Sequence, residues 1–347
     1  MSRDAKQITI HGGGLAGLAL GIALRNRDVP VSLLEAGSYP RHRVCGEFIS
    51  GAGVDVLKRL EAWPPIEERG VLEATTVTFN GSQHAGKPAR LPKSAWCVSR
   101  HVLDETLAEL FQNRGGNLIT HHRAVWKPAE GFVRATGRVP QKESTGYRQI
   151  GFKAHASDVD LRADLEMHHS PQSYVGLCRL PGGEVNVCGL LRTQRPLTEL
   201  KNGWQDWIRG CAGRELEQRL QSATFDPDSF CVVAGLSYAP PETRSGELLS
   251  IGDAAHMIPP ITGNGMSMAF ESGELAAGPI GDYADGLIDW PTAQETLRIA
   301  IEKRFSRRLR WANRLQRFLL SGSSITSTAL LVKYSRVALP FLFRLTR

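Results

Sequence analysis

Hydrophobic positions along the chain follow two rhythms, and the way they alternate predicts the fold class. Residues 7–11 form a short β-branched run through Ile8, Thr9 and Ile10. Three glycines interrupt it, and residues 15–21 continue as an apolar run with helical spacing. A second strand over residues 29–34, with Pro30 near its start, ends at Glu35, and a helical segment follows over about 53–62. Residues 71–91 alternate weakly through Thr75, Val77 and Phe79 and read as a strand pair. Ser99 is placed to cap a helix with Leu103, Leu107, Leu110 and Phe111 on one face, closed by Gly115-Gly116 ahead of a strand over 117–120. This order of strands and helices predicts a mostly parallel sheet.

Between residues 121 and 149 the periodicity fades among Pro128, Gly131, Gly137, Pro140 and Gly146, so short strands and an exposed loop are expected there. From residue 150 to 191 the pattern becomes antiparallel, with alternating segments on either side of the turn Pro181-Gly182-Gly183. Asp164, Glu166, His168 and His169 invite a metal reading. Leu165 and Met167 take one face and the acids with His168 the other, so a half-exposed strand without metal is the expectation. A helix over about 197–220 would put Trp204, Trp207 and Ile208 on a core face, and a strand is expected over 230–236. Residues 248–251 then run into Gly252-Asp253 like the end of a central strand. A second glycine turn at Pro260, Gly263 and Gly265 precedes a helix over 266–277.

The first glycine turn carries the chemistry. In Gly12-Gly13-Gly14-Leu15-Ala16-Gly17 the first glycine permits a tight turn, Gly14 lets a pyrophosphate approach the backbone, and Gly17, backed by Gly21, lets the helix lie close to its strand. The free amides and positive dipole of the helix start suit phosphate. Glu35, 18 residues beyond Gly17, is spaced to take a ribose diol. The run of residues 12–24 could imitate a signal peptide, but Asp4 and the glycine spacing argue against one. Asp253 would emerge at the carboxyl edge of the same sheet. The helix after the second turn would aim its amides at the same crevice, so two distant turns would grip one long ligand.

Charge changes the picture chiefly at the C-terminal end. The net charge is +7, yet residues 298–347 hold 12 Lys and Arg against the single acid Glu302, while the rest of the chain is mildly acidic. Between residues 330 and 347 basic and apolar residues mix in the manner of an amphipathic helix interrupted at Pro340. Lying on an anionic membrane and packing on the body are equal readings for it. The longest uncharged interval, residues 318–332, is too short and too polar to span a bilayer. No nucleic-acid module accompanies the charge. Six cysteines without CxxC pairs predict neither zinc nor disulfides, and reduced thiols in a cytoplasm, with peripheral membrane contact as a variant, are the expectation. Cys45, among Arg41, His42 and Arg43, is either an inert filler or a thiol activated by those bases.

Taken together, the N-terminal glycine motif with Glu35, the Arg100 helix start, and Gly252-Asp253-Ala254-Ala255-His256 followed by Pro260, Gly263 and Gly265 resemble the flavin-dependent aromatic hydroxylase and geranylgeranyl reductase superfamily. The resemblance implies an α/β fold: a Rossmann-like FAD-binding domain (residues 1–70, 98–149 and 233–290), an inserted antiparallel-sheet substrate domain (71–97 and 150–232) and a helical C-terminal region (291–347). It also implies roles. Gly12, Gly13, Gly14, Leu15, Ala16 and Gly17 would hold the FAD diphosphate, Glu35 with Ala36 the adenosine ribose, and Asp253 the ribityl side. Backbone at Pro260, Gly263, Gly265 and Met266 would face the flavin ring, and Arg43 and Arg100 would supply basic contacts. The stretch from Arg43 through Cys45 to Gly46 resembles the Cys-Gly element of the prenyl-reductase branch; the His256 ending resembles the hydroxylases.

Hydroxylases of this group usually carry an Asp-Gly pair in a middle motif, and the corresponding Ala135-Thr136-Gly137 has no acid. The halogenase tryptophan spacing is absent at Trp204 and Trp207. The expected activity is an FAD-dependent monooxygenase acting on an aromatic or polyketide-like small molecule, with NADPH or NADH as a transient donor. A prenyl or alkene reductase is the alternative, and a flavin-binding accessory or maturation protein working with a protein partner the third reading. Tyr174, Asn186 and Cys188 are candidates for the pocket wall.

Overall fold

The structure is a computed structural model that describes residues 5–81, 85–123, 129–138, 148–170, 172–194, 198–199, 202–211, 213–236, 249–320, 340 and 343–345. Its first layer is a parallel sheet. Strand β1 (Ile8–His11) lies between β2 (Val31–Leu34) and a later strand, and the helix α1 (Leu15–Arg25) follows it. β-Branched and leucine side chains at Ile8, Ile10, Val31 and Leu33 are wholly or almost wholly buried, which is how a parallel strand covered on both faces should read. Short β3 (Phe48–Ile49) and helices α2 (Gly53–Arg59) and α3 (Trp63–Glu68) come next, so the one helical segment expected here is two.

The strand pair is β4 (Leu72–Gly81) with β5 (Ala89–Cys97), and the second reaches further than expected. Helix α4 (Arg100–Asn113) starts where predicted. The His101 amide donates to Ser99 Oγ at 3.1 Å, and Leu103, Leu107 and Phe111 are buried. After it come β6 (Asn117–Ile119) and β7 (Phe132–Arg134), giving a sheet order β6-β2-β1-β7. Residues 121–149 therefore contain one of the short strands expected there, β7, which pairs with β1 at the edge of the parallel sheet. β7 is three residues long, too short to announce itself by periodicity.

Because β7 takes the place beside β1, the approach to Asp253 is not a central strand. Among the described residues it is a single parallel bridge, Arg134 to Ser250, on the outer side of β7, secured by the Arg134 amide donating to Leu249 O and the Ile251 amide to Arg134 O.

The second layer holds eight strands in the order β12-β8-β11-β10-β9-β4-β5-β3 among the described residues. β8 (Arg148–Ser157), β9 (Leu165–Ser170), β10 (Ser173–Arg179) and β11 (Val185–Thr193) are antiparallel, and the 180–184 glycine turn joins the last two as expected. The expected long helix is two, α5 (Trp204–Gly210) and α6 (Arg214–Gln221), because Gly213 takes φ +93° between them. β12 (Thr224–Ala234) begins earlier than expected and shifts register between Asp226 and Cys231. One sheet face carries Phe152, Ala154, Val175, Leu177 and Val187 against Ile208, Leu216 and Leu220 of α5 and α6. Glu166 and His168 lie on that covered face, so β9 is buried rather than half-exposed. Glu166 is satisfied by Arg219 at 2.7 Å and His168 at 2.8 Å.

The other face looks toward the parallel sheet. The division of β9 into two faces holds, and Tyr174 and His169 are cross-strand partners on the inward side. Helix α7 (Gly265–Ala284) crosses α1, and α8 (Trp290–Leu320) packs on α7. No helix among the described residues is long and apolar enough to cross a membrane. The helix expected over residues 330–347 falls almost entirely outside the described residues.

The α1–α7 crossing is set by a missing side chain. A Cβ at Gly273 would stand 2.7 Å from Ala16 O and 2.9 Å from Leu20 N, both backbone atoms that cannot yield cheaply. Gly273→Ala is expected to destabilise the protein by about 2–3 kcal/mol in urea unfolding. Gly210→Ala, where a Cβ meets nothing within 4 Å, should stay within about 1 kcal/mol of wild type.

Candidate cofactor and active site

At the end of β1 the chain turns with Gly12 at φ +110°, and a Cβ there would lie 2.4 Å from Ala135 O. No L side chain fits. Gly17 has the role predicted for it, since its Cβ would meet Gly12 O at 2.0 Å, whereas Gly21 makes room for the Phe111 ring of α4 rather than for β1. Gly14 is different. It is the N-cap of α1, no side chain caps the helix, and a Cβ there would meet nothing within 4 Å. The uncapped amides at the start of α1, with Leu15 and Ala16 buried behind them, face open space with the positive end of the helix dipole.

Glu35 is almost fully buried beside this turn. The Gly13 and Gly37 amides each donate to it at 2.8 Å, and Arg41 pairs with it. Burial works to raise its pKa, but the Arg41 ion pair and the two amides outweigh that and hold it at about 2. Arg43, named from the sequence, reaches only 3.9 Å from Glu35; the close partner is Arg41, which sequence reasoning grouped with its neighbours. Tyr39 lies across the turn, its hydroxyl donating to Gly13 O at 2.5 Å, with the Arg41 guanidinium 4.8 Å over its ring. Ala36 is exposed beside the carboxylate. A carboxylate offers about four acceptor places, and three are taken here, so a ribose diol would share Glu35 with Arg41.

The second grip is formed by Gly252–Ala254 and Pro260–Thr262, two 3-10 turns ahead of α7. Asp253 is open to water yet walled in by protein, as a side chain in a crevice must be. That burial pushes its carboxyl up to about 6, with Arg100 and Arg138 pulling against it. Pro260 is exposed, Gly263 takes φ +59° above the Phe48 ring, Gly265 opens α7 without a side-chain cap, and Met266 is buried. Ser50 donates to Gly263 O at 2.6 Å and accepts from Ser267 at its own carbonyl, tying this turn to the loop that follows Cys45. The carboxylate of Asp104 holds Arg100 in a fork at 2.6 and 2.8 Å.

Cys45 is not an activated thiol. Burial raises its pKa, and Arg100 offsets that only in part. The middle-motif stretch is present as backbone, with Ala135 and Thr136 packed under Gly12 and no carboxylate among these residues. The cradle at Gly14, two uncapped helix starts, Glu35 and the crevice-bound Asp253 fit an elongated dinucleotide such as FAD.

Sequence reasoning missed a second constellation, between the Cys45 loop and the inner face of β8. Glu47 is fully buried with φ +56°, and its carboxylate accepts from the Arg100 amide at 2.8 Å and lies 2.6 Å from His155 Nε2. Lys153 Nζ, also fully buried, is 3.4 Å from Glu47 and donates to His42 Nδ1 at 2.8 Å. The His42 ring lies 4.6 Å from that of His101 and 5.1 Å from that of His155. Burial first, then the ammonium of Lys153, push the His42 pKa down to about 4, so the ring is neutral and can accept that bond. His42, Glu47 and His155 have the ligand types of a metal site, but Lys153 already supplies the positive charge between two of them. The signal lay in β8, where Lys153 and His155 alternate with Phe152, Ala154 and Ala156 on a buried strand. Of the pocket candidates, Asn186 donates to Cys45 O at 3.0 Å, and Cys188 pairs across strands with Lys153.

Two outcomes are expected. Glu35 has a lowered pKa, so its stabilisation is present above the ordinary carboxylate range and disappears as pH falls through about 4.5 to 2. Chemical unfolding of Glu35→Gln should show a deficit of up to about 3 kcal/mol at pH 7 that closes toward pH 2. Glu47→Gln, which strands Lys153 without its carboxylate, should cost about 3–5 kcal/mol, and adding Lys153→Met should restore much of it in a double-mutant cycle.

No protein-family model matches the chain. Conditioned medium factor receptor 1 of Dictyostelium discoideum is 22% identical over 77% of the chain, which spans 61% of that protein's length. Menaquinone reductase of Mycobacterium tuberculosis is 25% identical over 94% of the chain and 89% of its own length. Among solved structures, the flavin-dependent brominase Bmp2 superposes with a TM-score of 0.74 at 19% identity, covering 97% of this chain and 93% of that one. A geranylgeranyl bacteriochlorophyll reductase-like protein of Thermoplasma acidophilum gives 0.72 at 18%, covering 95% and 92%. PqsL of Pseudomonas aeruginosa, a probable FAD-dependent monooxygenase, gives 0.69 at 14%, covering 93% and 100%. The fold agrees with what the sequence resembled: the chain has the fold shared by these solved structures, a parallel-sheet α/β layer joined to a second, largely antiparallel sheet.

Proposed function

We propose that the protein is an FAD-dependent oxidoreductase that saturates a carbon–carbon double bond of an apolar small molecule, with NADPH or NADH as electron donor. The observation that carries the reading is the buried Lys153–His42–Glu47–His155 cluster beneath Cys45 and Gly46. Saturating an alkene consumes a hydride and a proton, two electrons and two protons in all. Bound FAD, once reduced by the nicotinamide, would supply the hydride. The residues supply what remains: the α1 start and Glu35 hold the adenosine end, Asp253 and the α7 start the other, and the cluster stores the proton. His42, half-buried and neutral, can take a proton from Lys153 at Nδ1 and release the one at Nε2. The likeness to menaquinone reductases along nearly the whole chain supports the same reading.

A second reading keeps the cofactor and hydroxylates an aromatic or polyketide-like molecule with oxygen. The likeness in fold to PqsL favours it. A charged wall does not, since oxygenation needs a dry pocket that protects what forms in it.

The test starts with colour. The purified protein should be yellow or become so with FAD, and Asp253→Ala should weaken that uptake. Under anaerobic conditions, with NADPH and separately with dithionite, a prenylated quinone should gain two hydrogens in its side chain, read by mass spectrometry after the ring has been reoxidised to the quinone and against a control without protein. His42→Phe should keep the flavin but slow the reaction by about 10²–10⁴-fold. A colourless protein that takes up no FAD overturns both readings, and incorporation of oxygen into product in air selects the second.

A further inference from the structure

We infer that α8 carries a docking surface for an anionic lipid bilayer. Ile301, Phe305, Arg308, Ala312 and Gln316 are buried on one side of this helix, where Glu271 of α7 takes Arg308 at 2.6 Å and also binds Arg304. Lys303, Arg307, Arg310, Arg314 and Arg317 are all exposed, at successive steps of four and three, and so form one stripe on the opposite side. At 1.5 Å per residue the stripe is about 21 Å long.

Among the described residues its charge has no acidic partner. Upstream, Arg298 is matched by Glu295 and Glu302. From Lys303 to Arg347 the sequence has no acid, and none of the ion pairs among the described residues involves the five stripe cations. Arg307 and Arg317 donate instead to backbone carbonyls, of Arg344 and Asn313.

The chemistry on either side favours lipid over nucleic acid. Leu309, Trp311 and Leu315 flank the stripe half-buried, with the Arg314 guanidinium 5.3 Å from the Trp311 ring. The sequence beyond Arg317 is uncharged for 15 residues and contains Phe318, Leu319, Leu320, Leu330 and Leu331. A straight row of cations bordered by Trp and aliphatic residues suits headgroup phosphates above and acyl chains below. A duplex would call for side chains reaching base edges or following a curved backbone.

The protein, residues 1–347, is sedimented with phosphatidylcholine vesicles containing about 30% phosphatidylglycerol at about 0.1 M salt. Capture by these vesicles, absence of capture by pure phosphatidylcholine, and release at about 0.5 M salt are expected. Each cation near such a surface contributes roughly fivefold, so R310E/R314E/R317E should weaken capture by about 100-fold or more. R310Q/R314Q/R317Q should fall between, and it decides the matter if the reversed variant fails to fold. Both variants should melt as wild type and take up flavin as wild type. Equal capture by neutral vesicles, undiminished capture of the glutamine variant, or binding to duplex DNA with no vesicle capture would overturn the inference.

Discussion

Close contacts that leave no room for an added Cβ surround Ala16, and the arrangement of the molecule depends on them. Gly12 O sits where a Cβ of Gly17 would go, Ala16 O where a Cβ of Gly273 would go, and the Ala16 methyl where a Cβ of Gly252 would go. Three segments far apart in sequence can converge only because those positions are glycine. Their convergence puts the start of α1, the Asp253 turn and the start of α7 around one crevice. Two helix starts without side-chain caps then face the same space, and that is an electrostatic demand for an anionic ligand.

The two sheets are joined at the crevice by charge rather than by oil. Glu47 leaves the cofactor loop in a left-handed conformation that a glutamate rarely takes, and four partners meet its carboxylate: the Arg100 amide, Ser99, His155 and Lys153. Burying an ammonium and a carboxylate costs several kcal/mol per ion unless each is satisfied. A hydrophobic clasp would have held the sheets with less penalty. The retained charge is thus a clue to chemistry at this junction, and the neutral His42 ring connects it toward the less buried side.

Polarity is also segregated along the chain. The crevice holds Arg41 with Glu35 and Arg100 with Asp104, while the five cations of the outer stripe of α8 have no acidic partner among the described residues. One set of guanidiniums is organised to position; the other is left available to an external anion. The candidate cofactor crevice and the cationic outer helix share α7 as scaffold, so the proposed site lies close to the basic helix.

What the sequence determined by itself was what depends on near neighbours. The glycine turn, the Ser99 cap, the Pro181-Gly182-Gly183 hairpin and the two-faced alternation of β9 are local, and each stands where its residues placed it. The fold class was legible for the same reason, since the motifs that pointed to it are short turns whose geometry follows from glycine. Tertiary structure decided what depends on the partner brought alongside. Three-residue β7 took its place in the parallel sheet only because β1 offers it an edge, and β9 became buried only because α6 covers it. Arg41 rather than Arg43 became the partner of Glu35 through the path of a six-residue loop. Lys153 and Glu47, over a hundred positions apart, form a pair that no spacing rule describes, because a strand's period tells which face a side chain takes but not what waits on the other side.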